Sequence, residues 1–196
     1  MNNELRARYG DEQLAVIPTA DIEILNGDGP FYPMSDVKIP VESLVAMPRY
    51  VVEEDTSYRQ LIVYALVGVG EKYVVMRRIG GDKRLVDQHS IGIGGHVRAG
   101  ESLIEALFRE IYEEIGLTPD NIINLKCAGY IINGTEGVDA VHIGVVFVID
   151  TKDDAEIANK EPNKHEMMFL DASAIRQLGN EGKLESWSGI LASNVM

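Results

Sequence analysis

The spacing of apolar positions changes part-way along the chain. Residues 1–58 hold short apolar pieces between turns rich in glycine and proline, at residues 14–18, 22–25 and 41–47. Such pieces predict short strands joined by turns. We therefore expect an N-terminal strand-and-turn extension over residues 1–58, which packs on a core domain formed by residues 59–196.

The pattern is sharper in the second part of the chain. Long apolar stretches bounded by turn residues predict strands there. The predicted strands are residues 61–69, 72–78, 125–132, 140–149 and 166–170. Residues 172–178, with Asp171 as N-cap, and residues 184–192 are predicted to be helices. Mixed strands with a central helix and C-terminal helices predict an α/β sandwich.

The central helix is the most sharply defined element. Ser102 followed by Glu105 is a capping box, so the helix is expected to begin just after Ser102. Apolar side chains recur every four residues and predict the buried stripe. These side chains are Leu103, Leu107, Ile111 and Ile115. Gly116 stands where a left-handed C-terminal cap is expected.

The same helix carries a second, acidic stripe. Glu110, Glu113 and Glu114 are spaced i, i+3 and i+4, which places their carboxylates on roughly one face. Like charges on neighbouring turns repel each other. Divalent cations such as Mg2+, which prefer carboxylate oxygen, would explain the cluster. The alternative for these three residues alone is a solvated acidic face.

The wider segment resembles the Nudix box, G-x5-E-x7-R-E-U-x-E-E-x-G-U, in which U is aliphatic. Every fixed position is filled without an insertion. These positions are Gly95, Glu101, Arg109, Glu110, Ile111, Glu113, Glu114, Gly116 and Leu117. The resemblance implies a Nudix-type α/β/α sandwich with a mixed sheet. It also implies a Mg2+- or Mn2+-dependent hydrolase of a pyrophosphate bond, acting on a nucleoside diphosphate linked to another moiety or on a nucleoside triphosphate.

Roles for single residues follow from the same resemblance. The three helix glutamates would bind metal, with a main-chain carbonyl near Gly94 or Gly95, and Glu113 and Glu114 would serve catalysis. Glu101 would bind metal directly or support its ligands. Arg109 would orient the carboxylates through salt bridges, a task suited to its rigid guanidinium fork.

The proton acceptor of the reaction is either a box glutamate or a carboxylate outside the box. It must reach a water molecule at hydrogen-bond distance. Glu166 is favoured, because a residue at the start of a strand is held better than one within a loop. The alternatives outside the box are Glu136, Asp139 and Glu161.

A basic run interrupts the acidic sequence at Arg77, Arg78, Lys83 and Arg84. Arg78 and Arg84 are candidates to hold the substrate phosphates. The alternative is a solvated hairpin end.

Two other functions are compatible with the fold. A noncatalytic nucleotide-ligand sensor would tend to lose box carboxylates, and this chain keeps all of them. A prenyl diphosphate isomerase would need further histidine and cysteine ligands, and Cys127 is the only cysteine. The run over residues 90–95 lacks the tryptophan and proline of the common Trp-x-x-Pro-Gly-Gly, which leaves the substrate open.

The charge and composition of the chain limit the classes of partner that we expect it to bind. With 18 basic and 31 acidic residues the net charge is -13, which disfavours nonspecific nucleic-acid binding and anionic membranes. A single cysteine excludes an intrachain disulfide and fits a reducing compartment. The chain begins without an apolar leader, and its longest apolar run is too short to span a bilayer. We expect a cytoplasmic protein with a phosphorylated small-molecule substrate, and a homodimer is left open.

Overall fold

The computed structural model describes residues 2–80, 86–134 and 137–196. It confirms the expected α/β class, with a large mixed sheet and several helices. The strands are β1 (Gln13–Pro18), β2 (Glu23–Ile24), β3 (Phe31–Pro33), β4 (Val37–Lys38), β5 (Val45–Pro48), β6 (Tyr58–Val69), β7 (Lys72–Arg78), β8 (His89–Ser90), β9 (Gly92–His96), β10 (Ile122–Ile131), β11 (His142–Thr151) and β12 (His165–Asp171). The α-helices are α1 (Asn2–Tyr9), α2 (Arg49–Val52), α3 (Leu103–Ile115), α4 (Gly137–Ala140), α5 (Ala172–Asn180) and α6 (Ser186–Asn194).

The chain forms two compact units, each built from three segments. The first unit comprises Met1–Val63, Gly95–Ala106 and Ala128–Val146. The second comprises Tyr64–Gly94, Leu107–Cys127 and Phe147–Met196.

In the first unit, β1 pairs antiparallel with both β5 and the start of β6. Leu14, Val16 and Val52 are fully buried and form a small apolar core beneath these strands. β3 pairs with β10, while β2 and β4 form a separate two-stranded sheet. The predicted strand over residues 14–18 is confirmed as β1.

The N-terminal region also contains helices that were not predicted. The sequence of α1 is polar and has no apolar stripe that would indicate a helix. The helix is held instead by its last residue, Tyr9, whose hydroxyl donates to Glu53 at 2.8 Å. The Arg49 guanidinium lies 4.2 Å from the centre of the Tyr9 ring and pairs with Glu53 and Glu12. A strand-and-turn description of this region is therefore incomplete.

In the second unit, β7 lies between β6 and β12. The predicted hairpin is confirmed, with Gly68 opposite Tyr73, and β12 pairs with β7 along its full length. The Asp171 side chain accepts a hydrogen bond from the Ala174 N–H at 2.8 Å, which confirms the predicted cap of α5. No helix in the described ranges is long and apolar enough to cross a bilayer.

Helix α3 begins and ends where the sequence predicts. The Ser102 hydroxyl accepts the Glu105 N–H at 3.2 Å, and the Glu105 carboxylate accepts the Ser102 N–H at 2.8 Å, so the capping box is formed. Three of the four predicted stripe residues, from Leu107 onward, are fully buried, while Leu103 is part-buried. Gly116 has a φ of +68°, the left-handed conformation expected of a helix C-terminal cap.

Candidate active site

Arg109 lies between two of the acidic residues on α3. Its guanidinium contacts the Glu110 carboxylate closely and lies 3.5 Å from the Glu113 carboxylate. The side chains of Arg109 and Glu110 are largely buried, whereas that of Glu113 is half-exposed. A rigid cation in this position holds carboxylates in fixed orientations. The contacts are those an orienting arginine would make, and its role remains a prediction.

Glu114, on the same helix, is a carboxyl group with a strongly raised pKa. The pKa of Glu114 is about 8, raised first by burial and then by the charges of Glu110 and Glu161. A hydrogen bond from the Gly94 N–H and the charge of Lys164 act in the opposite direction. A carboxylate that is costly to ionise among other carboxylates is stabilised by a nearby cation.

The donor set fits a hard divalent cation in kind. Within residues 2–80, 86–134 and 137–196, no three His, Cys, Asp or Glu side chains already stand in a complete metal-binding arrangement. The charges of Glu110 and Glu161 nevertheless both act on Glu114, and oxygen ligands of this type suit Mg2+ and Mn2+. The site therefore offers ligand atoms of the type that Mg2+ and Mn2+ prefer. The side chains would have to move closer together to bind the ion.

A loop over residues 152–164 supplies Glu161. The Ala158 N–H donates to the Ile115 carbonyl at 3.0 Å, and the Lys160 N–H donates to the Glu114 carbonyl at 2.9 Å. Carbonyl groups in the last turn of a helix lack partners within it, so the loop satisfies them. The contact brings Glu161 to the end of α3.

Hydrogen bonds and an ion pair with neighbouring residues hold Glu161 in place. Its N–H donates to the Asn159 side chain at 2.9 Å, and the Asn159 amide donates to the His165 carbonyl at 2.7 Å. Its carboxylate pairs with Lys164. Sequence reasoning ranked this residue low because it lies within a loop. The signal that could have found it is Asn159, a residue type that builds local turns through its side chain.

Glu166 has a different environment. It lies directly opposite Arg77 across the β12–β7 pair. Its exposed carboxylate accepts a hydrogen bond from Arg77 Nε at 2.9 Å, and the same guanidinium also pairs with Asp87. The proposed role of Glu166 as general base stays a prediction.

The predicted residues of the first unit have their own local contacts. The Glu101 carboxylate accepts the Arg98 N–H at 2.9 Å. Outside the predicted set, the Nε2 atoms of His96 and His142 lie 3.1 Å apart. Asp139, one of the alternative bases, accepts a hydrogen bond from the Asn133 amide.

For two other predicted residues the structure gives a position in a strand, and three more lie outside the described residues. Gly95 lies in β9, and Arg78 is the last residue of β7. Lys83, Arg84 and Glu136 lie outside the described residues.

Comparisons with known proteins identify a matching family model and similar chains. A family model described as NUDIX domain matches residues 59–188. Protein YmaB of Bacillus subtilis is 28% identical over 194 residues, which cover 91% of this chain and 94% of that protein. The crystal structure of Tm1382, described as a candidate Nudix hydrolase, superposes with a TM-score of 0.72 at 24% identity, covering 93% of this chain and 97% of that one.

A third similar structure is a bifunctional NMN adenylyltransferase/ADP ribose pyrophosphatase from Francisella tularensis. It was crystallised with AMP and a manganese ion. Its TM-score is 0.53 at 17% identity, over 69% of this chain and 41% of that one. At these identities the two solved structures establish a shared fold.

Proposed function

The chain belongs to the Nudix family and is a Nudix-type hydrolase, and from this we propose that it cleaves a pyrophosphate bond with divalent metal ions held by Glu110, Glu113 and Glu114. The observation that carries the proposal is the environment of Glu114. It is a carboxyl group with a pKa of about 8, surrounded by further carboxylates within a complete Nudix box. The ionised form of such a group is strongly stabilised when a metal cation takes the place of its proton.

The proposed metal is Mg2+ or Mn2+. When bound, it would neutralise phosphate charge and lower the pKa of a water molecule. Arg109 would hold Glu110 and Glu113 in the orientation that the ion requires. The manganese ion in the Francisella tularensis protein supports this choice of metal. Roles for Gly95 and Glu101 as further metal ligands rest on the box alone.

The proposed substrate is a phosphorylated small molecule. A nucleoside diphosphate linked to another moiety and a nucleoside triphosphate both offer the pyrophosphate bond that the site would cleave. A cytoplasmic location and a homodimer remain expectations from the sequence.

Two carboxylates compete for the role of general base. Glu166 is the choice from sequence, as a residue anchored in a strand. Glu161 is the second candidate, because its charge acts directly on Glu114. We retain both as proposals.

We also propose that residues 1–58 form an extension of a hydrolase domain that comprises residues 59–196. The start of the family match at residue 59 supports this boundary.

A substrate screen tests the proposed function. Nucleotide sugars, dinucleoside polyphosphates, ADP-ribose, nucleotides and capped RNA would each be incubated with the protein and either Mg2+ or Mn2+. At least one is expected to be hydrolysed, and excess chelator should abolish turnover. Tight binding of a nucleotide without turnover would favour the ligand-sensor alternative. Undiminished hydrolysis in chelator would overturn the metal-dependent mechanism.

A further inference from the structure

A buried polar cluster surrounds the hydroxyl of Tyr64 in the second unit. That hydroxyl lies 2.6 Å from a Glu185 carboxylate oxygen, 2.8 Å from the Ser188 hydroxyl and 3.1 Å from the Ser90 hydroxyl. Burial, followed by the charge of Glu185, raises the pKa of Tyr64 well above its ordinary value. Tyr64 therefore keeps its proton, and its hydroxyl donates a hydrogen bond to the Glu185 carboxylate. Hydrogen-bonded networks that are fully satisfied inside a protein fix the position of their members.

Glu185 joins this cluster to α6. It is the N-cap residue of that helix, and its carboxylate accepts the N–H groups of Trp187 at 3.0 Å and Ser188 at 2.8 Å. One carboxylate thus caps the helix and accepts the Tyr64 hydroxyl. The start of α6 is therefore linked to Tyr64 through this carboxylate.

The same cluster holds the strand segment that precedes the box. The Ser188 hydroxyl accepts the buried Ile91 N–H at 2.8 Å, and the Ser90 hydroxyl donates to the Gly92 carbonyl at 2.8 Å. The Glu185 N–H donates to the His89 carbonyl at 3.0 Å. These bonds hold the backbone at His89, Ile91 and Gly92.

Gly92 packs directly on the Tyr64 ring. A Cβ atom at this position would lie 2.0 Å from the ring, so only glycine allows the strand to approach so closely. Two residues further on, the Gly94 N–H donates to the Glu114 carboxylate. A continuous set of contacts therefore runs from the cap of α6 to the central glutamate of the proposed metal site.

We propose that Tyr64, Glu185 and Ser188 are positioning residues of the hydrolase, which fix residues 89–92 so that the Gly94 N–H stays directed at the Glu114 carboxylate. This inference rests on the proposed function for its catalytic meaning. None of the three residues is part of the Nudix box. Their effect on metal binding would pass through the backbone, in the way that outer groups orient the ligands of a metal.

The test uses the full chain and two measurements. The variants Tyr64→Phe and Glu185→Ala remove the cluster, whereas Glu185→Gln keeps an acceptor oxygen for Tyr64. Asp171→Ala is the matched control, because Asp171 caps α5 through the Ala174 N–H and the Ser173 hydroxyl without contacting residues 89–92. Hydrogen exchange of residues 89–95 is measured in metal-free protein. The dissociation constant for Mn2+ is measured by titration.

Tyr64→Phe and Glu185→Ala are expected to speed exchange at Ile91 and Gly94 and to weaken Mn2+ binding about tenfold. Glu185→Gln should stay close to the wild-type protein. Asp171→Ala should lose stability but keep both the exchange pattern and the Mn2+ affinity. Unchanged exchange at Ile91 and Gly94 in the two disruptive variants would overturn the proposal. An equal loss of Mn2+ affinity in Asp171→Ala would do the same.

The two measurements separate this inference from the proposed function. If the wild-type protein binds no Mn2+, the proposed function fails, and the exchange data still decide whether the cluster fixes residues 89–95. If Glu185→Ala does not fold, Ser90→Ala takes its place. It removes only the hydroxyl between Tyr64 and the Gly92 carbonyl, and it carries the same expected results.

Discussion

The main-chain N–H of Lys160 donates a 2.9 Å hydrogen bond to the carbonyl oxygen of Glu114. The loop over residues 152–164 is thereby attached to the end of the helix that carries the acidic stripe. Glu161 follows directly, and its negative charge contributes to the raised pKa of Glu114. A residue from a charged loop, remote from the box in sequence, becomes part of the electrostatic environment of the site.

This relationship distinguishes the two candidate bases. Replacing Glu161 with Gln is expected to lower kcat by about a hundredfold to ten-thousandfold, the range of general acid–base catalysis. Glu166→Gln is expected to have a smaller effect, because Arg77 already engages the Glu166 carboxylate. Steady-state kinetics at saturating Mn2+ measure both. A larger loss of kcat in Glu166→Gln would return the role to Glu166.

Metal dependence through the helix glutamates is the second prediction. Glu113→Gln and Glu114→Gln preserve side-chain size but remove charge, so the fold should survive while turnover falls by about two orders of magnitude or more. Glu105→Gln is the control on the same helix, since glutamine also completes a capping box. Wild-type turnover in Glu114→Gln would contradict the assignment of the metal site.

The extent to which these features follow from sequence depends on how local they are. The capping box of Ser102 and Glu105 and the four-residue spacing of Leu107, Ile111 and Ile115 lie within one helix, so pattern alone predicts them. The contact between Tyr64 and Glu185 joins residues 121 positions apart. No local pattern indicates such a pairing, because the packing of the whole unit brings the two residues together.

Stability of the metal-free protein should depend on pH through Glu114. The pKa of Glu114 is about 8 in the folded protein, above its ordinary value of 4.5. Between these values the unfolded chain gives up the proton while the folded protein keeps it, so stability falls as pH rises from about 5 to 8. The loss is on the order of a few kcal/mol. Urea unfolding in chelator should show this fall in the wild-type protein and a smaller one in Glu114→Gln.

The same group should link metal binding to proton release. Because Mn2+ displaces the proton of Glu114, its affinity should increase as pH rises towards 8. Calorimetric titrations in buffers of different ionisation enthalpy would measure the released protons. A Mn2+ affinity that does not change between pH 6 and 8 would argue against Glu114 as a ligand.

The basic run is tested by comparing three arginines. If Arg78 and Arg84 hold substrate phosphate, replacing either with Ala should raise KM about tenfold and leave kcat nearly unchanged, the pattern of uniform binding loss. Arg77→Ala is the control, because Glu166 and Asp87 already occupy the Arg77 guanidinium. Unchanged KM in both test variants would assign the run to a solvated surface.

Gly92 offers a direct test of how closely the strand before the box approaches Tyr64. A Cβ atom at Gly92 would lie 2.0 Å from the Tyr64 ring, which is buried. Gly92→Ala should therefore destabilise the protein by about 3 kcal/mol or more. Gly189 provides the matched substitution, since it lies within α6 and a Cβ atom there meets nothing within 4 Å.

Because alanine is the better helix former, Gly189→Ala should stabilise the protein by up to about 1 kcal/mol. Urea unfolding at one pH measures the free energy of unfolding of both variants. Changes of opposite sign would show that the protein is not destabilised by alanine at every glycine. Equal stabilities would mean that the strand carrying Gly92 does not pack against the Tyr64 ring. In that case the path from α6 to the Glu114 carboxylate would lack its central contact.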